Sequence, residues 1–450
     1  MNSASINKNP WAARLSHLLD LNEIKQRATI IPAPLEHDSQ WSSTDVGRLR
    51  KKISELFICS DPLAKVLHTF VAASISYYIE HFASEKEVIK RLYNPSLPHG
   101  EGVPTLTPVF CLTGLAGIGK SALINAFFRI IPQPASVTLP GHTGFAMKGA
   151  EKIIFNSQSR LTEVLQSLAH PEDTRHRGSK LLSAAISNSV RNGVGLIMAD
   201  ETQFQTSSST AITLTSSTLE GVSQLRIPLV FACNYSLAHK LMSTNHEMRN
   251  RLISHPIVIF PDAADSAEWV NYMEECKKVC GTWLQIAPED YSRVYFCTYG
   301  IRRYVTALIC NAFETMIDEK RQSVTIQNLL SEFQSLKFSS FRSDVENLFH
   351  FDAQGGIARK RSDKSMRCPF EVDMNRIKTN KKIADERFQG VIAAKVIETA
   401  AKQDHRASGE RATSPIRSVP SKANKKTPRK KTTPEEFLAN STAYADQQGH

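Results

Sequence analysis

The sequence predicts an α/β protein: a parallel-sheet core with a helical region before it, a helical lid after it, and a disordered basic C-terminal tail. Three observations carry this. From Val109 onward, short apolar runs alternate with longer helical stretches, the pattern of a parallel sheet flanked by helices. A glycine-rich run stands between the first of those strands and the helix that follows it. The charge is uneven: residues 351–450 hold 21 Lys and Arg against 12 Asp and Glu, while residues 1–350 hold 34 against 32. The net charge of +11 therefore belongs mainly to the C-terminal segment, and the body is nearly neutral.

Residues 1–107 form an N-terminal partner-interaction region. A Pro-bearing stretch, Ile31 to Pro34, precedes amphipathic helical patterns over Val46–Phe57 and Pro62–Phe82. The connector Asn94–Thr107, with Pro95, Pro98, Pro104, Gly100 and Gly102, marks a boundary. The core, residues 108–262, contains strands expected at Val109–Thr113, Lys152–Asn156, Val194–Ala199, Ile227–Cys233 and Ile257–Phe260. Strand signals then fade, and Ser266–Cys280, Gly300–Ile317 and Ile326–Phe338 read as the helices of a lid spanning 263–350. From about residue 351 the chain turns polar, and the run Lys422 to Lys431 buries too little apolar surface to fold. A short helix near Ile383 to Thr399 interrupts this tail, and no internal repeat is visible.

Several function classes drop out. Arg14, His17 and Asp20 interrupt the N-terminal apolar stretch, so it does not read as a signal peptide. No window reaches the roughly 18 apolar residues of a membrane span, so no membrane partner is expected. The eight cysteines contain no C-x-x-C pair, and Cys276 and Cys280 share a helix face without a second ligand pair. Free thiols in a reducing cytoplasm fit best. His170, His176 and His239 have no spacing that suggests a metal site or a catalytic triad.

The glycine-rich run is Gly114, Leu115, Ala116, Gly117, Ile118, Gly119, Lys120 and Ser121, which fits G-x-x-x-x-G-K-[ST] at every defined position. The strand VFCLT precedes it and the helix SALINAFFRII follows, the context a P-loop requires. Glycines let backbone N–H groups curl around phosphates where a Cβ would block approach. The helix N-terminus adds partial positive charge at the same place. Lys120 is then placed to reach the β and γ phosphates of ATP, and the Ser121 hydroxyl to ligate Mg2+. A buried strand from Gly193 ends in the adjacent acids Asp200 and Glu201. Asp200 suits Mg2+ coordination and Glu201 suits orienting the attacking water, so hydrolysis is expected and not nucleotide binding alone.

The remaining candidates follow the layout of AAA+ ATPases. Asn234, at the end of the next strand, is placed to bond the same water, the role called sensor 1, although a turn-forming Asn also fits there. Arg249 and Arg251 lie just before the fifth strand, where an arginine finger would reach a neighbouring subunit. A solvated helix-end arginine fits either position, and the sequence does not choose between them. Arg302 and Arg303, after Gly300 at the start of a lid helix, are sensor 2 candidates.

At this point the chain resembles the TnsC/TniB-type AAA+ transposition regulators. GVGLIMADETQ (Gly193–Gln203) is similar to that family's apolar strand ending in acid-acid-x-Gln, and RIPLVFAC (Arg226–Cys233) to its sensor 1 strand. The stretch Tyr299–Leu308, followed by Arg321–Leu329, is similar to its lid. Asn9-Pro10 and Arg91–Pro95 are similar to the punctuated ends of its N-terminal domain. The chain departs from the family at Cys233-Asn234-Tyr235, where the family carries a Gly-Thr pair, and at Ser157–Arg160, which lacks its Asp-Cys-Pro-like run. The resemblance implies an ATP-dependent homo-oligomer, a ring or filament on double-stranded DNA. It would link a target-selector protein to transposase subunits. It also implies backbone contacts from the pore, for which Lys148, Lys152 and Arg160, flanking the second strand, are the candidates, against a solvated charged edge. The alternatives are a helicase-loader or signal-type AAA+ ATPase, and a nucleotide-gated adaptor with little hydrolysis.

Overall fold

The computed structural model describes residues 3–36, 41–93, 107–139, 141–155, 160–200, 202, 209–354, 365–370 and 378–387. The chain divides into two compact units, Met1–Gln389 and Gly390–His450. The second unit, with the expected basic tail around Lys422 to Lys431, lies outside the described residues.

The first unit opens with six helices: α1 (Ser3–Lys8), α2 (Pro10–Ala13), α3 (Leu21–Ala28), α4 (Ser43–Glu55), α5 (Asp61–His81) and α6 (Glu85–Tyr93). In α5, Pro62 sits in the first turn, and Ala64, Leu67, Phe70, Val71, Ser74, Ile75 and Tyr78 bury one face at helical spacing. That face packs on the central sheet, and a glycine permits the approach: a Cβ on Gly195 would stand 2.4 Å from the Tyr78 ring. The Tyr78 hydroxyl donates to Gly193 O at 2.7 Å. Asn9 accepts from the N–H groups of Trp11 and Ala12, starting α2. Its amide donates to Tyr78 O at 2.9 Å and Phe82 O at 3.2 Å, satisfying carbonyls at the end of α5. Burial pushes the Tyr78 hydroxyl far above its ordinary range, so it stays a donor at every working pH. Tyr78→Phe removes this bond without changing the packed ring. It is expected to cost about 1–2 kcal/mol, read as a fall in melting temperature of the nucleotide-free protein.

The core runs β1 (Val109–Gly114), α7 (Lys120–Ile130), a hairpin of β2 (Ser136–Leu139) and β3 (His142–Ala146), β4 (Gly149–Ile154), α8 (Leu161–Leu168), α9 (Gly178–Arg191), β5 (Val194–Asp200), α10 (Ser209–Ser223), β6 (Leu229–Asn234), α11 (Tyr235–Met242), α12 (His246–Leu252) and β7 (His255–Ile259). Five strands form one parallel sheet in the order β4-β5-β6-β1-β7. β1 and β5 are buried at every residue, as strands covered on both faces must be. All five expected strands are present, with ends shifted by up to three residues. The hairpin β2–β3 was not expected.

The lid contains α13 (Ala267–Cys280), β8 (Leu284–Gln285), α14 (Tyr291–Thr298), α15 (Arg302–Asp318), β9 (Val324–Thr325), α16 (Ile326–Gln334) and α17 (Ser339–Ala353). Two of these helices, α14 and α17, were not foreseen. The N-terminal region, expected as a domain of its own, belongs to the same compact unit. Trp41 meets the Phe313 ring of α15 edge-on at 5.0 Å, and Leu35 N donates to Val279 O of α13.

The tail expected from residue 351 is also partly folded. A helical segment at 378–387 packs on the lid, with Ala384 fully buried and Arg387 4.3 Å from the Phe349 ring. It overlaps the helix expected at Ile383–Thr399 over residues 383–387 and begins five residues earlier, while 388–399 lie outside the described residues.

Candidate functional site

The site is built where the C-terminal ends of β1, β5 and β6 meet. β1 ends at Gly114, the loop climbs to Gly119, and α7 begins at Lys120. Gly119 has φ of 115° and Gly117 of 80°, backbone that L side chains rarely adopt. At Gly117 space is limiting too: a Cβ would stand 2.7 Å from Arg303 Cβ. The first N–H groups of α7 therefore face the loop's concavity, the geometry that holds an anion.

Lys120 is buried, and its ammonium donates to Gly114 O and Leu115 O, each at 2.9 Å. The Ser121 hydroxyl donates to Asp200 Oδ1 at 3.0 Å. The two Mg2+ candidates, far apart in sequence, are thus in contact. A hydroxyl and a carboxylate are the hard oxygen donors that Mg2+ takes, so the donor set fits that ion. Glu201 lies outside the described residues. The residue after it, Thr202, is buried and donates to Ala232 O on β6 at 2.6 Å.

The parallel register of β1 with β6 sets Asn234 beside Gly114. Asn234 Oδ1 accepts from Leu237 N at 3.0 Å and caps α11. One half of the side chain is therefore a helix cap, and the other half, the amide nitrogen, remains to donate.

The structure separates each pair of arginine candidates. Arg251 bonds Glu220 Oε1 at 2.7 Å and lies 3.7 Å from Glu247 Oε1. Arg249 is exposed, and its side chain has no partner among the described residues. Arg302 pairs with Asp262 and lies 3.5 Å over the Tyr272 ring, which fixes the lid to the segment after β7. Arg303 instead stands over the phosphate loop, its backbone N–H donating to Gly117 O at 3.2 Å.

Between the loop, the lid and the N-terminal region lies a cavity of about 880 Å3. Its walls include Phe57 and Ile58 from the N-terminal region, Ile118 and Gly119 from the loop, and Pro261 and Arg303 beside the lid. Phe57 is held there by a two-way backbone bridge to Ile30. The size and mainly apolar walls suit a small organic ligand. Sequence reasoning missed this wall, although the apolar run Leu56-Phe57-Ile58 at the end of a helical pattern was a signal.

The DNA candidates differ in placement. Lys148 pairs with Glu151. Arg160 is exposed at the start of α8, with no side-chain partner among the described residues. Lys152 turns to the nucleotide site, 3.6 Å from Asp200 Oδ2. Among the described residues no cluster of three or more His, Cys, Asp or Glu is arranged to hold a metal. None of the eight cysteines is in a disulfide, and seven are buried. His239 bonds Arg367 O, and His176 lies 3.8 Å from Asp173. No helix among the described residues is long and apolar enough to cross a membrane.

No family model matches the chain, and no curated protein matches it. Solved structures similar to it include the Aeropyrum pernix ORC2 protein in its ADP form, at 13% identity over 69% of this chain and 94% of that chain, TM-score 0.40. The Aeropyrum pernix ORC1 protein in complex with DNA matches at 15% identity over 70% and 86%, TM-score 0.36. The Thermotoga maritima RuvB Holliday junction branch migration motor matches at 13% identity over 60% and 75%, TM-score 0.33. These scores are too low to carry an argument, so the fold rests on the chain's own strands. The phosphate loop leaves the end of β1, the acidic strand β5 lies one strand away across β6, and a helical lid follows β7. That is the α/β P-loop AAA+ fold.

Proposed function

We propose that this chain is an ATP-hydrolysing AAA+ protein that assembles on double-stranded DNA and links target-site selection to transposase recruitment in a transposon. The nucleotide part of the reading is carried by one observation: Ser121 of the phosphate loop bonds Asp200 at the end of β5, beside Lys120. Lys120, Ser121 and Asp200 would hold the phosphates and Mg2+, Glu201 would activate water, and Asn234 would donate its amide to that water. Arg303 suits the sensor 2 role, and the cavity beside Phe57 and Pro261 suits the base and ribose. The DNA and transposase parts are supported by the motif resemblance at Gly193–Gln203, Arg226–Cys233 and Tyr299–Leu308. Arg160 and Lys148 are the DNA candidates that do not face the nucleotide site. Electron microscopy with duplex DNA and a non-hydrolysed ATP analogue tests the assembly. A ring or filament is expected, and a monomer that ignores both ligands overturns the reading.

Arg249 suits the finger better than Arg251 because its guanidinium is unengaged among the described residues, whereas Arg251 is held by Glu220. Arg249→Ala is expected to bind ATP and to lose about a thousandfold in turnover. Adding Lys120→Ala subunits, which still carry Arg249, is expected to restore part of that activity. Failure of this rescue in mixed assemblies would show that the arginine does not act across a subunit boundary.

A further inference from the structure

The Ser121–Asp200 pair has a third member that the P-loop motif does not specify. Lys152, on β4, places its Nζ 3.6 Å from Asp200 Oδ2 and donates to Asn125 Oδ1 at 2.8 Å. Ser121 holds the other carboxylate oxygen, Oδ1, at 3.0 Å. The arrangement follows from the elements that supply it. Ser121 and Asn125 are four residues apart on α7 and share a face. β4 runs parallel to β5 with Ile154 opposite Asp200, so Lys152 sits two residues back, on the same face of β4 as Ile154.

The side chains of Lys152 and Asp200 are 27% and 7% exposed, so their attraction is screened less than that of a surface pair. Holding a lysine in one geometry costs rotamer freedom, and the Asn125 bond offsets that cost by fixing where the ammonium points. Both oxygens of Asp200 are thereby committed, one to a hydroxyl and one to a cation.

We infer that Lys152 is a positioning residue of the nucleotide site: it fixes the Asp200 carboxylate and sets the Mg2+ concentration the site requires. The inference rests on the nucleotide reading above. Its two consequences have opposite signs. An ammonium beside a Mg2+-binding carboxylate repels the incoming dication, so removing the charge raises Mg2+ affinity. Removing it also frees the carboxylate to rotate, so turnover falls. An ammonium committed to Asp200 and Asn125 is not available to a DNA phosphate, and the two roles separate by experiment.

The test is binding of a fluorescent ADP analogue across a Mg2+ series, with ATP turnover and duplex-DNA affinity measured on the same full-length proteins. Lys152→Met is expected to lower the half-saturating Mg2+ concentration about threefold or more. It should also lower turnover at saturating Mg2+ by about tenfold or more. Lys152→Arg, which keeps the charge, should retain the wild-type Mg2+ dependence, and DNA affinity should be unchanged in both variants. If Lys152→Met leaves the Mg2+ dependence unchanged while weakening DNA binding and reducing its salt slope by about one, Lys152 is a phosphate contact and the inference is wrong. Should Lys152→Met not fold, Lys152→Gln, which also removes the charge, is read by the same Mg2+ series, and an unchanged half-saturation point there also overturns the inference. Absence of Mg2+-dependent nucleotide binding in the wild-type protein would remove the nucleotide reading itself. Wild-type binding with an indifferent Lys152→Met removes only the inference.

Discussion

Lys120→Ala is expected to abolish ATP binding at working concentrations, while Glu201→Gln should bind ATP as the wild type does and fail to turn it over. Lys120 is buried with its ammonium at the mouth of the phosphate loop, so truncation removes a charge-assisted partner from a largely dry site. Losing one member of such a pair costs about 2–5 kcal/mol, roughly thirtyfold to several thousandfold in affinity. The Glu201 change is isosteric and acts on a different step. A glutamine can still accept a hydrogen bond from water but cannot take its proton, and general-base contributions are worth about a hundredfold to ten-thousandfold in rate. Equilibrium binding of a fluorescent nucleotide and single-turnover hydrolysis separate the two effects. Near-normal turnover by Glu201→Gln would reassign the base. Loss of binding by that variant would mean that Glu201 holds the nucleotide and does not activate water.

What could be read from the sequence divides along physical lines. The phosphate loop was legible because its chemistry is local: eight consecutive residues carry the turn, the close approach and the charge. The strand order was not, since nothing in Val194–Asp200 says that β6 lies between it and β1. That Asp200 and Ser121 would serve one ion was expected from motif pairing, but Lys152 joining them was not, because β4 and α7 converge only in three dimensions. Strand ends slipped because pairing continues past the apolar runs: β4 begins at Gly149, opposite Val194, before any apolar pattern is evident. The hairpin had a signal in Pro140-Gly141, and α17 had one in the stripe Phe341, Val345, Leu348 and Phe349. The arginines resolved for another reason. Four candidates were equal as residue types and became unequal once Glu220 and Asp262 were seen to occupy two of them.

Where the folded body ends has a measurable consequence. The polar composition after residue 351 places the boundary near Phe351, and on that reading truncation there leaves the ATPase intact. The packing places it further along. Asp352 accepts from the Tyr299 hydroxyl, next to Gly300 and the lid arginines. Ala384 is fully buried, Ile383 packs against the core cluster, and Arg387 covers the Phe349 ring. Burial in this contact lowers the Arg387 pKa from its ordinary value. Truncation after Gln389 removes only the second unit and is expected to leave the melting temperature and ATP turnover unchanged. Truncation after Phe351 strips the cover from Phe333 and Phe349 and the acceptor from Tyr299. The loss is about 2–4 kcal/mol of packing and hydrogen bonding. In a body of this size that lowers the melting temperature by roughly 2–5 °C. Turnover should fall with it, because Tyr299 adjoins the residues that set Arg303 over the phosphate loop. Equal melting curves for the two truncations would show that 365–387 adds nothing to the lid, and would return the boundary to Phe351.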